Sequence, residues 1–374
     1  MSDRWCDSFA NHININSVGY VKPCCMFAKG KRPPTEKQNV FEWYLDAYRE
    51  EYAEGIDTAG CYPCKKMEEV GMSSRREMNF KRGSSPDEEI VFFDISFGNV
   101  CNLKCRMCES RNSTKWIADE QFLQEKWGFD LEREIYKKRE MHPKRVDQIV
   151  EYMNASKAEQ LVLEVKGGEP FVTKAFLDFI EKLSDETKAK TKLNLFTNGS
   201  GVSDYYIKQL SKFKLVDLRL SVEATGDLYQ YIRGGEKHTL MDSIKFMTRM
   251  NELIPNIKLG VSVTITMYNI FNLKELADTI EYYEPGRVDA QVFNNVSHQP
   301  NWLAPGILPD NIKQELIEMY PEDHFSNFRK YLKSTTHNPE LMAKCKKFTL
   351  LLDGRRNESI YEVEPRFKEI FSGY

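Results

Sequence analysis

Three cysteines, Cys101, Cys105 and Cys108, stand close together directly after a short alternating run from Phe92 to Phe97. The alternation predicts a β-strand, so the cysteines are expected on the loop that follows it. Their spacing lets three thiolates converge from one loop on one face of a cubic iron-sulfur cluster, which leaves the fourth iron without a protein ligand. The alternatives are a set of ordinary buried thiols and a structural zinc site with a distant fourth ligand, although zinc sites usually combine C-x2-C with a second close pair.

This C-x3-C-x2-C arrangement resembles the cluster motif of the radical S-adenosylmethionine (radical SAM) enzymes, in which SAM chelates the open iron through its amino and carboxylate groups. The resemblance implies that Cys101, Cys105 and Cys108 bind a [4Fe-4S] cluster. It also implies reductive cleavage of SAM to a 5'-deoxyadenosyl radical that abstracts a substrate hydrogen atom. Because SAM cleavage requires a cluster of low potential, a flavodoxin or ferredoxin is expected as the electron donor.

Length and net charge indicate the number of domains and which kinds of partner to expect. A chain of 374 residues predicts one large domain plus a smaller one, and the net charge of -3 disfavours a nucleic-acid substrate. We expect a cytoplasmic protein without a membrane partner, because the first residues lack the apolar core of a signal peptide and no stretch approaches a membrane span. Eight of the nine cysteines lie within the first 108 residues. In a reducing compartment such clustering indicates metal binding rather than disulfides.

The N-terminal segment has cysteines of its own. After Cys6 comes a predicted hairpin from His12 to Lys22, and the next residues are Pro23, Cys24 and Cys25. A predicted helix near residues 40–52 separates this hairpin from a C-x2-C pair at residues 61–64. This order resembles the twitch half of the SPASM/twitch domains, although such domains normally follow the catalytic barrel and this segment precedes it.

In SPASM/twitch domains such thiolates bind a second, auxiliary [4Fe-4S] cluster. The resemblance implies that Cys6, Cys24, Cys61 and Cys64 are its ligands here, with Cys25 as the alternative to Cys24. Four thiolates also suit a structural zinc ion, so zinc binding by these cysteines is the alternative interpretation.

Strands and helices alternate beyond a Gly- and Ser-containing stretch near residues 83–89, which predicts parallel βαβ units. Strands are expected at 91–97, 160–166, 192–197, 216–222, 258–266 and 288–294, and helices at 174–183, 202–213, 239–253 and 273–283. The family resemblance implies the α/β fold of a partial (β/α)6 barrel, which periodicity alone does not distinguish from a doubly wound sheet. The expected domains are 1–82 (auxiliary cluster), 90–297 (barrel with a 109–157 insertion) and 298–374 (an extension closing the barrel).

Polar motifs follow the predicted strands, and function in parallel barrels gathers at the C-terminal strand ends. The motif Gly-Gly-Glu-Pro after the second strand resembles the family's site for the SAM amino group, and an arginine after the fourth resembles a partner of the SAM carboxylate. In the family, the residue before the third cysteine is commonly aromatic and contacts the adenine. Here it is Met107, whose thioether can still pack on a purine. Tight turns, strand-end caps and a surface arginine remain alternatives. The SAM contacts implied are Met107, Gly167, Gly168, Glu169, Pro170, Thr197, Asn198, Ser221, Glu223 and Arg233.

A second cluster suggests modification of a peptide or protein, such as oxidation, crosslinking or epimerisation. A dehydrogenase or epimerase of a small carbohydrate-like metabolite is one alternative, and a non-catalytic zinc or iron-sulfur scaffold is another. The isolated Cys345 is either a hydrogen-atom donor or incidental. No residue is assigned as catalytic from the sequence.

Overall fold

The computed structural model describes residues 6, 8–54, 58–69, 74–80, 89–127, 135–234, 238–286, 293, 295–297 and 299–374. The strand expected at 288–294 and the linker near 83–89 therefore lie almost entirely outside the described residues. No helix in the described ranges is long and apolar enough to cross a bilayer.

The strands of the described residues are β1 His12–Ile15, β2 Val21–Lys22, β3 Phe92–Ile95, β4 Leu161–Val165, β5 Thr191–Thr197, β6 Leu215–Ser221, β7 Ile257–Ser262, β8 Thr264–Ile265 and β9 Asn295–Val296. The first seven form a sheet in the order β2-β1-β3-β4-β5-β6-β7, and β8 pairs with β9. The pairs β1–β3, β3–β4 and β4–β5 are parallel, whereas β1–β2 is antiparallel. The predicted α/β fold with a mainly parallel sheet is confirmed.

Helices alternate with these strands along the chain. In the described residues they are α1 Ser8–Asn11, α2 Val40–Ala47, α3 Arg49–Glu54, α4 Tyr62–Glu69, α5 Arg75–Phe80, α6 Ile117–Trp127, α7 Pro143–Ala155, α8 Lys174–Lys182, α9 Asp185–Lys190, α10 Asp204–Leu210, α11 Gly226–Arg233, α12 Leu240–Leu253, α13 Leu273–Tyr283, α14 Asp310–Met319, α15 Glu322–Ser334, α16 Pro339–Arg356, α17 Ile360–Val363 and α18 Phe367–Ile370. Short 3-10 turns occur at Ala59–Cys61, Thr114–Trp116, Pro170–Val172, Asn301–Leu303 and Pro305–Ile307.

The N-terminal hairpin is confirmed, and it is part of the main sheet. Residue Asn14 of β1 pairs with Lys22 of β2 on one side and with Asp94 of β3 on the other. The helix expected at residues 40–52 is instead two helices, α2 and α3, with Tyr48 between them in a non-helical conformation. The hydroxyl of Tyr48 donates a hydrogen bond to the carbonyl of Val21, so it holds this break against β2.

Contacts divide the chain into two compact units. The first comprises residues 1–100, 138–195 and 203–217, and the second comprises residues 101–137, 196–202 and 218–374. The core of the first unit includes Phe97, whose ring lies 5.4 Å from that of Phe176 and 5.0 Å from that of Phe179 on α8. The core of the second includes Trp116, which stacks on Phe348 of α16 at 6.3 Å. The domain boundaries expected from the sequence remain a prediction.

One face of the sheet in the first unit is apolar and the other is polar. Alternate positions such as Phe93, Ile95, Leu163 and Leu195 are buried. The intervening positions place four polar residues in register across four strands, Asn14, Asp94, Glu164 and Asn194. Strands covered on both faces by apolar layers read as continuous hydrophobic runs, so this alternation indicates a second face that lines polar space.

Candidate functional site

The cysteine loop is a turn held together by its own backbone. The N–H of Cys108 donates to the carbonyl of Cys105 at 2.8 Å, and the N–H of Leu103 approaches the sulfur of Cys101 at 3.4 Å. The hydroxyl of Ser113 donates to the carbonyl of Leu103 at 2.6 Å and fixes the other side of the turn. All three cysteines are partly buried and none forms a disulfide.

The three thiols are close enough to influence one another. Burial, and then the neighbouring Cys105 and Cys101, raise the pKa of Cys108 well above its ordinary value, and burial raises the pKa of Cys105. Thiolates in this position would repel each other unless a cationic centre bound them. Within the described ranges, no group of three or more His, Cys, Asp or Glu side chains has the spacing of a formed metal site. A half-buried set of three thiols with an N–H directed at one sulfur suits the chemistry of an iron-sulfur cluster.

A buried ion pair lies beside this loop. The Nη1 of Arg233 donates to the carboxylate of Glu223 at 2.9 Å, and both side chains are buried. Burial raises the pKa of Glu223, and the charge of Arg233 opposes that rise. The same Arg233 acts electrostatically on Cys105, against the effect of burial on that thiol. The structure therefore brings two of the residues expected from the sequence next to the cysteine loop.

The end of α11 approaches the loop closely because it ends in a glycine. Gly234 caps the helix in a left-handed conformation with φ of 61°, and its N–H donates to the carbonyl of Gln230. A Cβ at this position would lie 2.8 Å from Cγ and 3.0 Å from the carbonyl oxygen of Lys104 in the loop. Glycine meets both requirements, so Gly234 lets the end of α11 pack against Lys104 of the cysteine loop.

Two more of the expected residues, Thr197 and Asn198, lie at the turn after β5. The side-chain amide of Asn198 forms a hydrogen bond with Asn102 of the cysteine loop. The Nδ2 of Asn198 donates to the side chain of Asn102 at 2.9 Å, and Asn102 donates in turn to Ser200 at 2.8 Å. The hydroxyl of Thr197 accepts from the N–H of Gly199 at 3.0 Å, which shapes this turn. Two other expected contacts, Ser221 at the end of β6 and Met107 within the cysteine loop, are half-buried.

In the first unit, the Gly-Gly-Glu-Pro segment packs on the residues that follow β3. Gly168 has φ of 63°, and a Cβ there would lie 2.6 Å from the carbonyl oxygen of Val100. The N–H of Glu169 donates to that same carbonyl at 2.8 Å. The side chain of Glu169 is buried and caps the turn Pro170–Val172 by accepting from the N–H of Phe171. The motif is thus a fixed turn packed against Val100, the residue directly before the first cysteine of the loop.

The N-terminal thiols, also in the first unit, share one small cavity. Cys6, Cys24, Cys61 and Cys64 line it, together with apolar neighbours such as Phe27. Burial, and then Cys25 and Cys6, raise the pKa of Cys24 to about 12. Burial, and then Cys6 and Cys64, raise the pKa of Cys61 to about 11.

Cys25 has different surroundings from Cys24. It is absent from the residues that line the cavity, and burial raises the pKa of its thiol while Lys166 lowers it. Lys166 itself bridges two carboxylates of the polar sheet face, at 3.0 Å from Asp94 and 2.7 Å from Glu164. The two adjacent cysteines, which the sequence left as alternatives, therefore differ in their surroundings: Cys24 lines the four-thiol cavity and Cys25 does not.

Some residues near the cysteine loop carried no signal in the sequence. Arg106, inside the loop, is buried and pairs with Asp353, which is 247 residues away. Asn269, also buried, donates its Nδ2 to the backbone carbonyl of Glu223 at 2.9 Å.

The isolated Cys345, noted in the sequence, is fully buried in α16 and is therefore a core residue.

Comparison with known proteins gives the following matches. The family model described as "Radical SAM superfamily" matches residues 95–283, just over half of the chain. No curated protein matches the sequence significantly. A solved structure of native anSMEcpe with bound AdoMet is similar at 18% identity and a TM-score of 0.34, over 54% of this chain and 48% of that one.

Two further solved structures show similarity of the same order. Streptococcus suis SuiB bound to its precursor peptide SuiA is 14% identical with a TM-score of 0.40, over 80% of this chain and 62% of SuiB. A mutant of spore photoproduct lyase is 14% identical with a TM-score of 0.32, over 62% of this chain and 72% of the lyase. The chain spans about half the length of the anSMEcpe structure it matches.

Proposed function

Because this chain belongs to the Radical SAM superfamily, whose model covers residues 95–283, we propose that it reductively cleaves S-adenosylmethionine and uses the product radical to remove a substrate hydrogen atom. The family implies a [4Fe-4S] cluster and SAM as cofactors. The observation that carries the proposal is the loop of three half-buried thiols with the buried Arg233–Glu223 pair acting on Cys105.

Cys101, Cys105 and Cys108 would hold the cluster, since they supply three thiolates from one turn. A cluster bound there would supply the electron for reductive cleavage of SAM. Arg233 would bind the SAM carboxylate. Its Nε is buried and has no hydrogen-bond partner among the described residues, whereas its Nη1 is held by Glu223. A fixed guanidinium with a donor still available suits a carboxylate.

The other assignments follow the strand-end motifs. The turn Gly167-Gly168-Glu169-Pro170 would bind the SAM amino group. Both glycines have positive φ, and the absence of a Cβ lets a ligand approach their backbone closely. Thr197, Asn198, Ser221 and Glu223 would surround the ribose and the sulfonium, and Met107 would pack on the adenine. These side chains bind and orient the cofactor, while the radical chemistry belongs to the cofactor itself.

We extend the proposal to a second [4Fe-4S] cluster in the N-terminal segment, held by Cys6, Cys24, Cys61 and Cys64. The support is that these four thiols line one cavity and that Cys25 is not among them. Cys24 is therefore proposed as the ligand from the adjacent pair. A zinc ion in the same four-thiol cavity is the competing occupant.

The proposed substrate is a peptide or protein that undergoes oxidation, crosslinking or epimerisation. The support is the twitch-like order of the N-terminal cysteines together with their convergence on one cavity. A flavodoxin or ferredoxin would deliver the electron. The clustering of eight cysteines within the first 108 residues suits metal ligands in a reducing compartment and supports a cytoplasmic location.

The test is the formation of 5'-deoxyadenosine by the anaerobically reconstituted protein with SAM and dithionite, followed by liquid chromatography and mass spectrometry. Wild type should release 5'-deoxyadenosine, and the Cys105→Ala variant should not. Cys25→Ser, which changes a thiol outside both proposed ligand sets, serves as the matched control and should retain the activity.

Metal and sulfide analysis separates this proposal from a non-catalytic scaffold. About eight irons with matching sulfide per chain are expected for two four-iron clusters. Zinc without sulfide, together with no 5'-deoxyadenosine from wild type under any reductant, would support the scaffold instead.

A further inference from the structure

Arg106 lies inside the cysteine loop, yet its side chain is completely buried. Its Nη2 donates to Asp353 at 2.6 Å and to Glu358 at 2.5 Å. The guanidinium also stacks on the ring of Tyr231, with Cζ 3.5 Å from the ring centre. A residue between two proposed cluster ligands is thus fixed by carboxylates of the C-terminal segment, 247 and 252 residues away.

The same arginine holds the end of α11. Its backbone N–H donates to the carbonyl of Ile232 at 2.7 Å, and its Nε donates to the carbonyl of Tyr231 at 3.0 Å. These two residues immediately precede Arg233, the proposed partner of the SAM carboxylate. Arg106 therefore connects the loop that carries Cys105 with the helix end that orients Arg233.

The carboxylate of Asp353 also accepts hydrogen bonds from other groups. Asp353 accepts from Arg106 and, at 2.8 Å, from the hydroxyl of Tyr231. Its second oxygen accepts from the N–H of Ile360 at 2.9 Å, just after α16. The carboxylate thus joins the cysteine loop, α11 and α17 at one point.

A second contact fixes the loop from another direction. The indole Nε1 of Trp116 donates to the carbonyl of Cys105 at 2.7 Å. Arg356, at the end of α16, lies over the ring of Trp116 at 4.9 Å and pairs with Asp119 at 2.9 Å. The backbone around Cys105 is therefore held from two directions by groups that α16 supports.

A buried ion pair is a weak source of stability, because desolvation of the charges offsets most of their attraction. Replacing a buried arginine and its carboxylate partners together by apolar side chains of similar volume is often neutral or stabilising, so stability alone does not account for the charge at position 106. The charged group is explained by the geometry it imposes. A planar guanidinium can donate to the carbonyl of Tyr231 and to the carboxylate of Asp353 at the same time.

We propose that Arg106 is a positioning residue, which fixes the cysteine loop and Arg233 in one relative geometry through Asp353 of α16. This inference rests on the proposed function, because the geometry in question is that of the SAM-cleaving site. It gives α16, which carries Asp353, a role in positioning that site. Without Arg106, the cluster still assembles on three thiols, but SAM is held in a less productive orientation.

The test compares Arg106→Met, Arg106→Lys and Asp353→Asn with wild type. Lys344→Met is the matched control, because Lys344 lies on the same helix, is 41% exposed at its side chain and pairs with the exposed Glu340. The measurements are iron and sulfide content, the kcat and KM for 5'-deoxyadenosine formation from SAM, and the electron paramagnetic resonance spectrum of the reduced protein with and without SAM.

Arg106→Met is expected to keep its iron and sulfide, to lose at least tenfold in kcat/KM, and to show a weaker SAM-induced change of the spectrum. Arg106→Lys should recover part of the rate, because an ammonium keeps the charge but not the fork of donors. Asp353→Asn tests the same link without altering the loop, and should raise the KM for SAM while iron content is retained.

Two results would overturn the inference. One is an Arg106→Met variant with wild-type kinetics and a wild-type spectral response to SAM. The other is a rate that falls only in proportion to iron content in every variant, since that would indicate a purely structural residue. If wild type and Lys344→Met both fail to form 5'-deoxyadenosine, the proposed function itself fails, which is a different outcome from either of these.

Discussion

Arg233 Nη1 lies 2.9 Å from a carboxylate oxygen of Glu223, and this pair is buried beside the cysteine loop. Glu223 follows β6 and Arg233 is the last residue of α11, so the ion pair connects the end of the strand with the end of the helix that follows it. Because the backbone carbonyl of Glu223 is also held by Asn269, the pair is fixed from the strand side as well.

Breaking this pair should destabilise the protein. Arg233→Met leaves the carboxylate of Glu223 buried without its cation, and Glu223→Gln leaves the guanidinium without its anion. Each change is expected to reduce the free energy of unfolding by about 3–5 kcal/mol, and the double variant by less than the sum. Denaturant titration of the four proteins measures this coupling, and strictly additive losses would contradict it.

The same variants should separate stability from activity. Arg233→Met is expected to raise the KM for SAM, whereas Arg49→Met, at a side chain that is 79% exposed, should change neither property. A wild-type KM in Arg233→Met would argue against its role as a SAM contact.

Because Cys24 lines the four-thiol cavity and Cys25 does not, substitutions of these two cysteines should have different effects on the iron content. Cys24→Ser removes a thiol from the four-thiol cavity and should lower the iron content from about eight to about four per chain. Cys25→Ser should leave the iron content unchanged. Iron and sulfide analysis of both variants is the measurement, and the reverse pattern would assign Cys25 as the ligand.

Gly168→Ala should strain the turn that packs against Val100. A Cβ would lie 2.6 Å from the carbonyl oxygen of Val100, and φ of 63° is unfavourable for alanine. The expected loss is about 1–3 kcal/mol in the free energy of unfolding. Gly354→Ala is the control: it lies within α16 with open space where a Cβ would stand, so it should stabilise the protein by about 0.5–1 kcal/mol. Equal effects of the two changes would contradict the close approach at Gly168.

His12 should make the stability depend on pH. Burial, and then Arg75 and Lys166, hold the pKa of His12 well below its ordinary value of 6.5. The unfolded chain therefore binds a proton below about pH 6.5 that the folded protein excludes, so stability is lost as the pH falls through this range. The slope from this group reaches at most about 1.4 kcal/mol per pH unit.

Replacing this ring by one that does not ionise should reduce that slope. The ring of His12 lies 4.4 Å from that of Phe92, so His12→Phe keeps the aromatic contact while it removes the titrating group. Unfolding free energies between about pH 7 and pH 5.5 give the slopes of both proteins. His324→Phe, at an exposed position on α15, is the control, and an unchanged slope in His12→Phe would show that His12 is not the group responsible.

Local patterns predicted the parts of the fold that depend on neighbouring residues. The strands at Leu161–Val165 and Leu215–Ser221 and the helix at Leu273–Tyr283 follow from period and length, because side chains alternate on strands and repeat on helices. The break between α2 and α3 was missed, since the hydrogen bond that holds Tyr48 reaches β2, 27 residues away.

The sequence by itself determined that three thiols lie on one loop after a strand, because the spacing of Cys101, Cys105 and Cys108 is a property of the chain alone. Only the tertiary structure decided which of Cys24 and Cys25 faces the other N-terminal thiols, and that Arg106 reaches Asp353. The physical reason is that burial and ion pairing depend on which distant segments meet, and a spacing of 247 residues carries no periodic signal.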